Sequence, residues 1–178
     1  AMQAYAEGKD FSIPVNISNN PQDFGFPCNL GLAATFDPDL AKKVAQEESK
    51  AYHAEGVNTL LGPQIDCTTE PRWRRITGTY GEDPALSRDM TNAYSSGLQS
   101  TFDKDGNDLG WGEDSTIAMI KHFPGDGSAE SGREAHNAYG KFNVYPGNNF
   151  KAHLVPFIDG GMHLDGATGQ AAGVMPSY

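Results

Sequence analysis

The chain has 178 residues, 38% of them hydrophobic, and a formal net charge of −10 from 23 acidic against 13 basic side chains. That length supports one good core, and without a long apolar run the composition sets aside both a membrane-spanning and a disordered chain. Neutralising nucleic-acid phosphates takes clustered Lys and Arg, and no such cluster occurs, so neither nucleic acid nor a membrane is expected as a partner. Cys28 and Cys67 lie in no zinc-type spacing and are read as free core thiols. Ala1 to Tyr5 lacks a basic stretch followed by an apolar one, so no signal peptide is expected here, as in a secreted or periplasmic chain already trimmed.

Phe11 to Ser18 (FSIPVNIS) reads as a first strand, closed by Asn19-Asn20-Pro21, with loop across residues 19–36. Asp37-Pro38 is a cap followed by proline at the first helical position, and Leu40, Val44, Ala45 and Ala51 form one face until Gly56 ends the helix. Val57 to Gly62 is a short apolar strand running into Pro63-Gln64-Ile65-Asp66. Asp83-Pro84 repeats the cap, and Leu86, Met90, Tyr94 and Leu98 recur every four residues, giving a second helix to about Phe102. Asp103 to Asp114 is a polar turn region and Ile117 to Phe123 a third strand. Phe150 to Ile158 is a third helix closed by Gly160-Gly161, and Ala171 to Tyr178 a fourth strand. Such alternation means parallel pairing, in a barrel or a doubly wound sheet. No glycine fingerprint follows the first strand, which argues against the nucleotide binders. The expected fold is α/β, of (β/α)8 TIM-barrel type. A complete barrel takes roughly 250 residues, so these four strands and three helices amount to about half of one.

The most informative stretch is Lys121-His122-Phe123-Pro124-Gly125-Asp126-Gly127, which leaves the apolar run Ile117 to Ile120. It presents a cation, an imidazole and a carboxylate around two glycines at the carboxyl end of a strand, where parallel barrels keep their sites. A lone histidine is more often a satisfied core residue, but the Lys121-His122 pair points to a site. Asp126 serves equally well as a turn residue or a site residue. Of Arg72, Arg74 and Arg75, at least two are expected to be solvated, pairing with Glu70, Glu82 or Asp83. Asp66 and Glu70 are read as loop-organising and Asp83 as a helix cap. A metal-dependent hydrolase using His122, Asp126, His136, His163 and Asp165 is a rival reading, but these residues follow no close ligand spacing, so no metal or cofactor is expected.

Several segments, in order, resemble the N-terminal barrel domain of glycoside hydrolase family 3. They are Ile13-Pro14-Val15 with Ser18, Asn29 to Thr35, Pro71-Arg72-Trp73-Arg74-Arg75, Gly81-Glu82-Asp83-Pro84, the KHFPGDG stretch and Met175-Pro176-Ser177-Tyr178. The resemblance implies retaining hydrolysis of a terminal β-linked sugar, foremost β-D-glucose, by two carboxylates. By position, Lys121 and His122 match the family's sugar-gripping pair, Arg75 its arginine after the tryptophan, and Tyr178 the tyrosine lining the same subsite. Asn20 stands where many members carry an aspartate, and Gly78 where many carry a glutamate. Asp126 replaces the histidine of the N-acetylhexosaminidase branch, which disfavours that branch. The family's nucleophile lies beyond the segment matched by Tyr178, so neither nucleophile nor acid/base is expected within these residues. The implied partners are a β-glucoside substrate and either the rest of the polypeptide or another copy of the chain to complete the barrel. The alternative is a truncated, non-catalytic carbohydrate-binding piece.

Overall fold

A computed structural model describes residues 1–20 and 25–178. Pro21, at the close of the expected first strand, and part of the loop expected over 19–36 lie outside the described residues. A short helix α1 (Met2–Glu7) opens the chain, followed by β1 (Ser18–Asn19), α2 (Asn29–Ala33), α3 (Pro38–Glu55) and β2 (Thr59–Leu60). Then come α4 (Pro84–Gln99), β3 (Ile117–Phe123), α5 (Phe150–Val155), which runs into a wide π turn over Pro156–Gly161, and β4 (Gly173–Pro176). The strands form one sheet in the order β1-β2-β3-β4, every pair parallel. This is the succession of an incomplete (β/α)8 barrel.

The helices start and stop where the caps stand. Asp37 accepts from the Leu40 amide at 3.0 Å and Asp83 from the Leu86 amide at 2.7 Å, while Gly56 leaves α3 in the left-handed conformation at φ 78°. Each carboxylate meets an otherwise orphaned amide, and glycine takes positive φ without a Cβ clash. The α4 stripe is as expected, with Met90, Tyr94 and Leu98 buried. On α3 the inward face is instead Ala41, Ala45, Glu48, Ser49 and Tyr52, and Leu40 is exposed. Polar groups can face inward there because other elements meet them: Glu48 takes the Tyr94 hydroxyl, and Ser49 donates to the Asp114 carbonyl at 2.5 Å. α3 and α4 are also very close. A Cβ at Gly97 would stand 2.4 Å from the Lys42 carbonyl oxygen, so only glycine fits.

Five expected elements are shorter than the sequence suggested, among them β2, which keeps Thr59–Leu60 of Val57 to Gly62, and β4, which keeps Gly173–Pro176 of Ala171 to Tyr178. Only Ser18 and Asn19 join the ladder from the first strand, and Phe11 and Ile13 are exposed, since Pro14 has no amide to donate and, among the described residues, no strand lies outside to pair with. α4 ends at Gln99, where Ser100 turns extended. α5 gives way at Pro156, which cannot supply the next helical amide. β3 has the expected bounds. Gln99 then ties the layers together: its side-chain oxygen accepts from the amides of Ala118 (3.2 Å) and Ala172 (2.8 Å), and its nitrogen donates to the Gln170 carbonyl (2.8 Å). The core packs Tyr52, Leu60, Ile65, Tyr80, Ile120 and Phe157 between helices and sheet. Cys67 is in that interior, whereas Cys28 is only half-buried, and both are free.

Candidate functional site

The groups singled out in the sequence lie beyond the carboxyl ends of all four strands. Asn20 follows β1, Asp66 and Arg75 follow β2, Lys121 and His122 end β3, and Ser177 and Tyr178 follow β4. Parallel pairing points every strand the same way, so residues 158 positions apart in sequence lie at the same end of the sheet. Beyond β2, Gln64 pairs with Lys121, and the Ile65 amide donates to the Lys121 carbonyl at 2.9 Å. The Gly62–Pro63, Lys121–His122 and Phe123–Pro124 peptide bonds are cis.

A continuous set of contacts runs across these ends. The Lys121 ammonium donates to the Asn20 side-chain oxygen at 2.8 Å, and an Arg75 guanidinium nitrogen stands 3.1 Å from His122 Nε2. Arginine can only donate, so His122 Nε2 is the acceptor and the ring proton sits on Nδ1, which donates to Asp66 at 3.1 Å. Asp66 is wholly buried. Its other oxygen accepts from the backbone amides of His122 (3.1 Å) and Asp126 (2.6 Å). Burial works to raise the Asp66 carboxyl, but the His122 ring and those two amides outweigh it and hold it below its ordinary value. Asp66 thus organises the loop, as expected.

Lys121 is nearly enclosed, and burial, followed by the Arg75 charge, lowers its amine to about 8. Burial likewise raises the Asp126 carboxyl, which accepts from the Ser177 hydroxyl. Asp126 is therefore more than a solvated turn residue: it links the β3 loop to the end of β4. Arg75 also leans toward buried Trp73, 5.8 Å from guanidinium carbon to ring centroid, while Arg72 and Arg74 are exposed. Tyr178 is 82% exposed and stands at the rim, its ring 4.8 Å from that of His136.

Sequence reasoning missed Glu134. It is buried, and its carboxylate lies 2.7 Å from His136 Nδ1, 3.6 Å from Arg74 and 3.7 Å from Arg75. Burial would raise it, but His136 and the two arginines hold it below its usual range. The loop that carries it has no periodicity, so nothing in the sequence marks it. Gly78 has a physical reason as well: a Cβ there would come within 2.7 Å of the Gln64 side-chain oxygen, so Gln64 occupies the space a side chain at 78 would need. The residues of the metal rival do not meet. His163 bonds the Ile158 carbonyl and lines, with Asp165, an outer cleft of about 620 Å³ that holds none of the site groups. Among the described residues no three His, Cys, Asp or Glu side chains are grouped to hold a metal.

Fold and site together define a parallel-barrel protein whose strand ends present clustered charged donors with carboxylates behind them. Residues 21–160 match the Glycosyl hydrolase family 3 N terminal domain, and the chain belongs to that family. It is 36% identical to a periplasmic beta-glucosidase/beta-xylosidase of Dickeya chrysanthemi over 99% of this chain and 28% of that protein. It is 39% identical to beta-glucosidase C of Emericella nidulans over 82% of this chain and 25% of that one. An exo-1,3/1,4-beta-glucanase from a Pseudoalteromonas species superposes with TM-score 0.68 at 26% identity, over 93% of this chain and 20% of its own. A mutant beta-glucosidase from Listeria innocua, solved with laminaribiose, shares the fold at TM-score 0.73 and 23% identity, over 99% of this chain and 23% of its own. The chain thus spans 24–28% of the length of the first curated relatives it matches.

Proposed function

We propose that these residues form part of the N-terminal barrel domain of a larger retaining β-glucosidase and hold the terminal non-reducing sugar of its substrate. The observation that carries this reading is the run Asn20–Lys121–His122–Arg75 along adjacent strand ends. A sugar ring offers neighbouring hydroxyls that both donate and accept, and a buried ammonium and a half-buried guanidinium make charge-assisted bonds to them that water would otherwise weaken. Arg75 Nη1 and Glu134 Oε2 lack a hydrogen-bond partner among the described residues, a donor and an acceptor of the kind a polyol satisfies. Asp126 fixes the loop that carries the grip, and Tyr178 lines its rim.

The hydrolytic carboxylates come from elsewhere in the enzyme. Retaining chemistry needs two of them about 5–5.5 Å apart, one free to attack the anomeric carbon. Asp66 has both oxygens engaged, and Asp126 is tied to Ser177. Neither is available as a nucleophile. The part played here is to orient the sugar and to stabilise charge as the oxocarbenium-like transition state forms. The complete enzyme should release nitrophenol from the aryl β-glucoside. Lys121→Ala should lower kcat/KM by the worth of one charge-assisted bond, about 1.5–3 kcal/mol. Unchanged kinetics in that variant would remove Lys121 from the subsite.

A further inference from the structure

Behind Lys121 and Asn20 stands Tyr52. Its hydroxyl donates to the Asn20 backbone carbonyl at 3.0 Å, while the Asn20 side-chain oxygen takes the Lys121 ammonium at 2.8 Å. Asn20 is exposed, whereas Tyr52 and Lys121 on either side are buried. The ladder gives Asn20 little support. β1 contributes two residues, and the last carbonyl joined to its neighbour is that of Asn19, which accepts from the Leu61 amide at 2.8 Å. The next carbonyl is that of Asn20, and Tyr52 reaches it from outside the sheet.

Tyr52 is a rigid support for such a bond. Its ring is fully buried on the inward face of α3, one turn beyond Glu48, which is itself hydrogen-bonded to Tyr94 of α4. A tyrosine has two side-chain torsions, and packing on a helix fixes both, so its hydroxyl is delivered to one point. We propose that Tyr52 is a positioning residue for the sugar site: by holding the Asn20 carbonyl it keeps the Asn20 amide aimed at Lys121. This sets where the ammonium waits for a hydroxyl. The proposal rests on the sugar-binding reading above, and it adds a residue some distance behind the ligand. No bond is made or broken; the contribution is preorganisation, which lowers the cost of ordering the site on binding.

A purely space-filling Tyr52 would behave differently, because Tyr52→Phe keeps the ring and removes only the hydroxyl. The test makes Tyr52→Phe, Asn20→Ala and the double variant in the complete enzyme, with aryl β-glucoside kinetics and an NMR titration of the Lys121 Cε resonance. Each single variant should raise KM about five- to tenfold, the worth of one ordinary hydrogen bond, with a smaller change in kcat. Each should also lower the Lys121 titration midpoint, since the bond to Asn20 favours the charged amine. The double variant should be no worse than Asn20→Ala, as groups acting in series are not additive. Additive effects, or wild-type KM with an unmoved Lys121 titration in folded Tyr52→Phe, overturn the proposal. Should Tyr52→Phe fail to fold, Asn20→Ala alters an exposed residue only, and an unmoved Lys121 titration there overturns it too. If the complete protein hydrolyses no glycoside, the sugar reading falls, and the Lys121 titration alone still decides what Tyr52 does.

Discussion

Asp66 holds His122 twice, through the backbone amide at one carboxylate oxygen and through ring Nδ1 at the other, each at 3.1 Å. Asp66→Asn keeps one acceptor but replaces the second with an N–H that opposes the ring proton. His122 should then move its proton to Nε2 and turn it against Arg75. The expected result is a fall in sugar affinity with a changed imidazole 15N signature, and an unaltered tautomer would contradict the assignment. The acid limb has a definite sign. The Asp66 carboxyl is held below its ordinary 3.8, so its stabilisation is in place above that pH and is lost as pH falls through the lower folded value. Wild type should therefore lose more stability on acidification than Asp66→Asn does, measured by urea unfolding at pH 7 and pH 3.

On the proposed reading, Lys121 should set an alkaline limb on binding. Its amine is lowered from 10.5 to about 8, so the charge proposed to grip the sugar disappears as pH rises through about 8. Stability moves the opposite way. The unfolded amine binds its proton more tightly, so raising pH from about 8 toward 10.5 favours the folded state at this residue. KM should climb above pH 8 while the circular dichroism spectrum stays unchanged. A flat KM from pH 7 to pH 9.5 would put Lys121 outside the binding step.

Gln99 carries a stability prediction that does not depend on any sugar. Gln99→Ala leaves the buried Ala118 amide without its acceptor and removes the part-buried bonds to the Ala172 amide and the Gln170 carbonyl. One buried unpaired amide costs about 1–3 kcal/mol and water can reach the other two groups, so a loss of about 1–3 kcal/mol is expected. The urea midpoint of the complete protein measures it. Loss of less than about 1 kcal/mol would mean that water replaces the side chain.

Residues 1–178 expressed by themselves should not hydrolyse nitrophenyl β-glucoside, because Asp66 and Asp126 are already engaged and the proposed hydrolytic carboxylates come from elsewhere. They should also self-associate. β1 and β4 have no outer strand partner among the described residues, and Val174 on β4 is partly exposed. Unpaired parallel edges need covering. Turnover by a monomer of this length, checked by light scattering, would overturn both expectations.

What could be read from the sequence was local. α3 and α4 announce themselves through Asp37-Pro38, Gly56 and Asp83-Pro84, because caps act within one turn. β3 is legible as an apolar run. The inward face of α3 was misjudged because Glu48 and Ser49 are buried by partners on other elements, Tyr94 and the Asp114 carbonyl, which no window along the chain contains. The edge strands were drawn too long for the same reason, since pairing depends on a neighbour. In the site, Lys121, His122 and Arg75 stand in a recognisable order. Glu134 meets Arg75 across 59 residues of chain and leaves no local trace.

The Gly97 contact has a consequence for how such proteins can diverge. Where two helices touch backbone to backbone, at a spacing only a missing side chain allows, their relative tilt cannot drift by exchanging larger residues for smaller ones. α3 carries Tyr52 and α4 carries Gln99, so the seam at Gly97 locks the supports of β1 and β4 into one frame. Variation is then channelled to exposed side chains such as Tyr139 and Phe142. A lineage built on this scaffold can change those exposed side chains while leaving the Asn20–Lys121 contact alone.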